Sequence, residues 1–203
     1  MTQLTLPRAE SPLHHADLPA LAGQDQKGGL ILREERFSAL VILRGPDDDP
    51  GMRAGVEGAL GAAPPTEPCS SVLGDDGTRL LRITPDEWLV FGPGTQRQDL
   101  MSRLRSALQG TPGRVVDVSS GYACLHLSGE ALADVLKKST SYDVHMRNFP
   151  PGKVVGTTFG KGQAYMLRTD ADSVLVIVRR SFADYTWLWL QAAAEEYGLS
   201  IAG

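Results

Sequence analysis

One arrangement of apolar and polar residues occurs twice in this chain of 203 residues. Arg79–Leu108 and Ala164–Ala194 each run through a strand pattern, an acidic turn, a second strand pattern, a short polar stretch and an amphipathic helix pattern. Two antiparallel strands with a covering helix are the parts of a split β-α-β unit. Few residues are identical between the segments, so the repeat is architectural. We therefore predict an α+β fold of two tandem ferredoxin-like halves.

An N-terminal arm and the two halves divide the predicted fold. Residues 1–35 contain scattered prolines and no lasting periodicity, which indicates an extended arm. Residues 36–120 form the first α+β half and residues 121–203 the second. Loops are predicted at 62–77 and 140–162. The predicted strands are Phe37–Leu43, Arg79–Ile83, Glu87–Phe91, Arg114–Val118, Tyr122–Leu127, Ala164–Arg168, Val174–Arg179 and Leu199–Ile201.

Capping residues mark the starts of the predicted helices. Asp49 followed by Pro50 predicts a helix start, and Gly61 predicts its end. The other predicted starts are a capping box at Thr95 and Gln98, a cap at Ser128, and a capping box at Ser181 and Asp184. Each start is followed by apolar residues at helical spacing, so each helix is expected to bury one face.

Composition excludes several classes of partner. The net charge is -4 and the pI is near 5.6, whereas nucleic-acid-binding proteins usually show a basic balance. No apolar run reaches the roughly 18 residues of a membrane span. Residues 1–10 have neither the basic start nor the apolar core of a signal peptide. We expect a cytoplasmic protein that binds neither nucleic acid nor membrane, with Cys69 and Cys124 as free thiols.

The sequence contains no convincing catalytic or cofactor motif. Its histidines are not spaced to place two imidazoles on one helix face, as a zinc site would require. Ser119 precedes Gly121, but Asp117 occupies the position of the first glycine of a nucleophile elbow. Gly160–Gly162 predicts a tight turn better than a phosphate cradle. We therefore predict no catalytic, cofactor-binding or metal-binding residues on this chain.

Two features indicate a surface for a protein partner. The arm carries leucines without a pattern that buries them internally, and both a frayed terminus and a segment that orders on a partner fit this composition. Trp187 and Trp189 point about 200° apart on one helix, so they cannot share a face. The candidate partner interface is Ser11, Pro12, Leu13, Trp187 and Trp189. In this hypothesis, deleting residues 1–20 leaves the melting temperature nearly unchanged.

The chain resembles the gamma subunit family of heterotetrameric sarcosine oxidase. Asp117–Ala123 reads Asp-Val-Ser-Ser-Gly-Tyr-Ala, similar to the Asp-Val-Ser signature of that family, and Leu127–Gly129 precedes a leucine-rich helix. The other similar motifs are Phe149–Gly152, Arg180–Tyr185 followed by Trp187 and Trp189, Pro85–Val90 and Glu10–Leu13. The resemblance implies a fold akin to tetrahydrofolate-binding aminomethyltransferase domains. The chain nevertheless has no convincing Asn-Asp-Asp folate signature.

The resemblance also implies a role. The complex oxidatively demethylates sarcosine to glycine, passes the one-carbon unit to tetrahydrofolate or releases formaldehyde, and forms hydrogen peroxide. FAD, FMN, NAD and tetrahydrofolate would belong to the alpha and beta subunits and zinc to the delta subunit, with gamma packed against alpha. The alternatives are a stand-alone folate-binding aminomethyltransferase-like protein, which folate titration would reveal, and a homo-oligomeric structural protein.

Overall fold

The computed structural model describes residues 9–22 and 28–203, and the first eight residues and residues 23–27 of the predicted arm lie outside this description. The helices are α1 (Leu18–Ala22), α2 (Pro50–Leu60), α3 (Arg97–Ala107), α4 (Leu132–Ser139) and α5 (Ala183–Ala193). The strands are β1 (Leu30–Glu34), β2 (Ala39–Arg44), β3 (Ser71–Leu73), β4 (Arg79–Thr84), β5 (Glu87–Gly92), β6 (Arg114–Asp117), β7 (Tyr122–Ser128), β8 (Val154–Phe159), β9 (Gly162–Asp170), β10 (Ser173–Arg179) and β11 (Leu199–Ile201).

The described strands form two sheets. The first sheet has the order β3-β4-β5-β2-β6 and is antiparallel throughout. The second has the order β11-β1-β7-β10-β9-β8 and is antiparallel except where β1 pairs with β11. The predicted α+β class is confirmed. Both sheets have more strands than the four of a β-α-β-β-α-β unit, and the ferredoxin-like description of each half stays a prediction.

The two sheets pack face to face between two layers of helices. Along β2, Val41 and Leu43 point toward α2 and α3, while Leu40 points toward the second sheet. Along β10, Val176 joins the core under α4 and α5, and Ile177 faces the first sheet. Because side chains alternate across a strand and both faces are covered, the strands are continuous apolar runs. The resulting order is helices, first sheet, second sheet, helices.

The caps of α2 form as predicted, but those of the later helices do not. The Asp49 carboxylate accepts a hydrogen bond from the Met52 N–H at 2.6 Å, and Gly61 ends the helix with φ +74°. The helices α3, α4 and α5 have no side-chain cap hydrogen bond. Short 3₁₀ turns at Gly94–Gln96 and Arg180–Phe182 lead into α3 and α5, so the predicted capping residues lie within or after these turns.

Three strands lie where the sequence predicts an arm or a loop. The strand β1 sits inside the second sheet between β7 and β11, so the last part of the predicted arm at 1–35 is sheet. The strands β3 and β8 lie within the predicted loops at 62–77 and 140–162. Both are sheet-edge strands, and an edge strand needs only one partner and is less apolar than a central one.

Candidate functional site

The predicted arm residues fold back onto their own chain. Leu13 is 1% exposed and belongs to the core beneath α4 and α5. The Ser11 hydroxyl donates to the Glu34 carboxylate and accepts from the Leu13 N–H at 2.9 Å. Ser11 is buried and Pro12 half-buried. The prediction that Ser11 and Leu13 dock on a partner does not fit this burial, because Leu13 finds its apolar contacts within the chain.

The two tryptophans of α5 diverge as predicted, yet both are accommodated within the chain. Trp187 is 6% exposed and lies in the same core cluster as Leu13. Trp189 is half-buried, and its Nε1–H donates to the Ser139 hydroxyl on α4 at 3.0 Å. The large apolar side chain that α5 exposes is Leu188, 55% exposed. Its outward position follows from a 100° step after Trp187, a signal that the sequence contains.

The Asp-Val-Ser motif joins three elements of the first half. Asp117, the last residue of β6, accepts from the Ser119 hydroxyl at 2.7 Å and from Arg97 Nε at 2.6 Å. The Ser119 hydroxyl also accepts from the Leu40 N–H of β2 at 3.0 Å. Burial favours a raised pKa for Asp117, but the hydrogen bonds from Ser119 and Arg97 outweigh it, so the pKa lies below its ordinary value. The motif therefore fastens β6 and α3 to β2.

His126 and His15 contact residues outside this motif. His126 on β7 is within 3.4 Å of the Thr169 hydroxyl, and burial together with the nearby Arg33 lowers its pKa. His15 pairs with Asp184 at 2.7 Å on the surface. Within residues 9–22 and 28–203, no group of three His, Cys, Asp or Glu residues could hold a metal ion.

Both cysteines are free thiols in different surroundings. Cys69 is exposed, whereas Cys124 is buried between the two sheets. Burial raises the pKa of Cys124 to about 12. The buried thiol therefore stays protonated at neutral pH and is a poor nucleophile.

A cleft that the sequence analysis missed lies at one end of the second sheet. It has a volume of about 380 Å³, and its walls include Tyr122, Tyr165 and Arg179. The strands that border the cleft are apolar along most of their length but end in polar residues. This change is the signal in the sequence, because it places polar side chains on a face that is buried elsewhere.

None of the helices in the described part of the chain has the length and apolarity that crossing a bilayer requires.

The curated relatives reported for this chain are sarcosine oxidase gamma subunits. The model of the sarcosine oxidase gamma subunit family matches residues 44–196. The sarcosine oxidase gamma subunit of Arthrobacter sp is 33% identical over 187 residues, covering 92% of this chain and 90% of that protein. The gamma subunit of Corynebacterium sp. (strain P-1) has the same identity and coverage.

Solved structures with a similar fold include a chain of a sarcosine oxidase. A chain of the heterotetrameric sarcosine oxidase of Corynebacterium sp. U-96, in complex with pyrrole 2-carboxylate, superposes with a TM-score of 0.83 at 29% identity, covering 93% of this chain and 96% of that one. The glycine cleavage system aminomethyltransferase T of Bartonella henselae reaches a TM-score of 0.74 at 14% identity, covering 95% of this chain and 58% of that one. The second likeness concerns the fold alone. Because the family model matches residues 44–196, which is more than half of this chain, the chain belongs to the sarcosine oxidase gamma subunit family.

Proposed function

We propose that this chain is the gamma subunit of a heterotetrameric sarcosine oxidase and contributes to assembly without supplying catalytic residues. The observation that carries the proposal is similarity along whole chains, because the match covers 92% of this chain and 90% of a curated gamma subunit. The superposition with a chain of a heterotetrameric sarcosine oxidase has comparable coverage. We also infer that each α+β half is ferredoxin-like, and that the subunit acts in the cytoplasm.

The proposed complex converts sarcosine, water and O₂ to glycine, formaldehyde and hydrogen peroxide, or passes the one-carbon unit to tetrahydrofolate. FAD, FMN, NAD, tetrahydrofolate and zinc would reside in the alpha, beta and delta subunits, with alpha the direct neighbour of this chain. The roles of the motif residues support a non-catalytic chain. Ser119 and Asp117 hydrogen-bond each other and hold β6 to β2, and Cys124 remains a protonated thiol between the sheets.

Co-purification from the native source tests the proposal. The tagged chain should retain the alpha, beta and delta subunits from its native source, and the purified complex should oxidise sarcosine with release of hydrogen peroxide. The chain purified alone should show neither flavin absorbance nor sarcosine oxidation. A flavin bound tightly to the isolated chain, or no retention of the other subunits, would contradict the proposal.

The alternative of a stand-alone folate-binding protein has one observation in its favour, the fold shared with aminomethyltransferase T. That likeness concerns the fold alone, at 14% identity. Titrating tetrahydrofolate into the isolated chain distinguishes the two hypotheses. One-to-one binding would favour the stand-alone protein, and the gamma subunit is expected to show no saturable binding.

A further inference from the structure

A row of polar side chains crosses the inner face of the second sheet at its open end. Tyr122 of β7 pairs with Arg179 of β10, and Gln163 of β9 pairs with Thr158 of β8. One step further inside, Cys124 and Ile177 are buried against the first sheet. The polar row instead borders the cleft of about 380 Å³, and Arg179 is exposed. The first sheet therefore does not cover this end of the inner face of the second sheet.

The side chains at this cleft have unused hydrogen-bonding groups. Arg179 lies over the Tyr122 ring with 4.6 Å from Cζ to the ring centroid. In the described part of the chain, the guanidinium makes no ion pair, and the side chains of Tyr165 and Gln163 make no hydrogen bond. Gly156 faces Tyr165 across the β8–β9 pair, and a Cβ placed there would meet only the Tyr165 ring, at 3.5 Å. The groups around the cleft are therefore available to a ligand.

These groups are mainly donors, and Arg179 adds a positive charge. Burial raises the pKa of both Tyr122 and Tyr165, so each hydroxyl stays protonated and can donate at neutral pH. Glu87 also raises both pKa values, yet it forms no ion pair with Arg179. A guanidinium presents a planar fork of N–H donors that matches the two oxygens of a carboxylate. Phenol hydroxyls beside it can donate to the same group.

The geometry points to a docking site for an acidic partner segment: we propose that Arg179, with the hydroxyls of Tyr122 and Tyr165, binds an Asp or Glu carboxylate of another subunit in the oxidase complex. This rests on the proposed function. The cleft opens beside β8, an edge strand of the second sheet, and Lys153, the residue before that strand, is bridged to Ser70. Beyond that bridge, Gly156–Thr158 lines the cleft. A partner segment that enters the cleft past this strand can place an acidic side chain beside the Arg179 guanidinium.

Dissociation of the assembled complex tests this site. The tagged full-length chain is co-expressed with the alpha, beta and delta subunits, and its release from the purified complex is followed after dilution. Arg179→Gln is expected to speed release about tenfold or more, because removing one member of a docked charge pair acts mainly on dissociation. Arg179→Lys keeps the charge without the fork and should give a smaller effect. Arg105→Gln removes an exposed arginine from α3 and is the matched control, expected within about twofold of wild type.

A second variant and a salt series keep the result interpretable. Tyr165→Phe removes one donor but keeps the ring, so it should speed release without lowering the melting temperature. Raising ionic strength from about 0.05 to about 0.5 M should speed release of wild type more than of Arg179→Gln. If wild type assembles while Arg179→Gln and Tyr165→Phe dissociate like Arg105→Gln, the docking site is wrong and the proposed function stands. If wild type does not assemble, the proposed function fails and the docking site fails with it.

Discussion

At the scale of single residues, Trp88 joins the first sheet to a loop. Its side chain is fully buried on the helix-facing side of β5 together with Val90, as the strand alternation predicts. The indole N–H donates to the Pro65 carbonyl at 2.9 Å. The Arg82 Cζ atom lies 5.6 Å from the centroid of the Trp88 ring, and Arg82 Nη2 pairs with the Asp47 carboxylate at 2.7 Å. One side chain thus fills the core and satisfies a backbone carbonyl.

Trp88→Ala is expected to lower the free energy of unfolding by about 3–5 kcal/mol, because it leaves a cavity in a packed core. Trp88→Phe retains most of the apolar volume and removes one of two donors to the Pro65 carbonyl, which still accepts from Arg82 Nη1 at 3.1 Å. It should therefore cost only about 0.5–1.5 kcal/mol. Urea denaturation measures both values. A cost within about 0.5 kcal/mol for the alanine variant would mean that the site is exposed in solution.

Asp117 supports a prediction on the pH dependence of stability. Asp117→Asn keeps an oxygen for Ser119 but removes the charge next to Arg97, and should cost about 1–2 kcal/mol at neutral pH. Because the folded pKa of Asp117 lies below its unfolded value, the extra stability of wild type is present above about pH 4 and disappears as pH falls through the folded pKa. Unfolding curves of the two proteins should therefore converge in acid. A difference that stays constant with pH would show that Asp117 gains nothing from its charge.

At the scale of elements, the N-terminal segment is part of the core. Leu13 and Leu18 pack under α4 and α5, and β1 lies between two strands of the second sheet. Leu13→Ala should lower the free energy of unfolding by about 2–5 kcal/mol. The matched control is His14→Ala, which removes an exposed side chain from the same segment and should change stability by less than about 0.5 kcal/mol.

Deleting residues 1–20 should consequently lower the melting temperature, contrary to the expectation from sequence. A thermal melt of the truncated chain beside wild type measures this. An unchanged melting temperature would show that the contacts of Leu13 and Leu18 add nothing in solution.

Elements with internal periodicity could be predicted from the sequence. The hairpins β4–β5 and β9–β10, the helix face of Leu100 and Leu104, and the Asp49 cap all follow from local patterns. Position along the chain misled the prediction for β1, because its two partner strands begin more than ninety residues later, at Tyr122 and Leu199. Capping boxes at Thr95 and Ser181 looked plausible because local sequence does not show that 3₁₀ turns precede the helices.

The candidate site could also be predicted only in part from the sequence. The angle between Trp187 and Trp189 was predictable from helix geometry. Their surroundings were not, because Ser139, which accepts from the Trp189 N–H, belongs to a different helix and lies fifty residues away. Leu13 was assigned to a partner because no neighbour in sequence could cover it, although residues of the second half do.

At the scale of the whole molecule, the second sheet is assembled from both ends of the described chain. The strand β1 precedes the whole first sheet in sequence, yet it pairs with β7 and β11 of the second. The first half is therefore inserted into the second. The faces between the sheets share one apolar cluster, to which Leu40 and Leu89 contribute from the first sheet and Leu175 and Ile177 from the second. Separating the sheets would expose this cluster to water.

The shared cluster and the inserted first half predict that both sheets unfold in one cooperative transition. Two single-tryptophan variants report on the two helix-facing cores: Trp187→Phe with Trp189→Phe leaves Trp88, and Trp88→Phe with Trp189→Phe leaves Trp187. For each variant, urea unfolding is followed by tryptophan fluorescence and by far-ultraviolet circular dichroism, so that each protein is its own control for the effect of its substitutions. The fluorescence and circular dichroism midpoints should coincide within each variant. In the contradicting outcome, the fluorescence midpoint lies at lower urea than the circular dichroism midpoint in one variant and at higher urea in the other. The sheets would then unfold separately, and the cluster between them would not couple them.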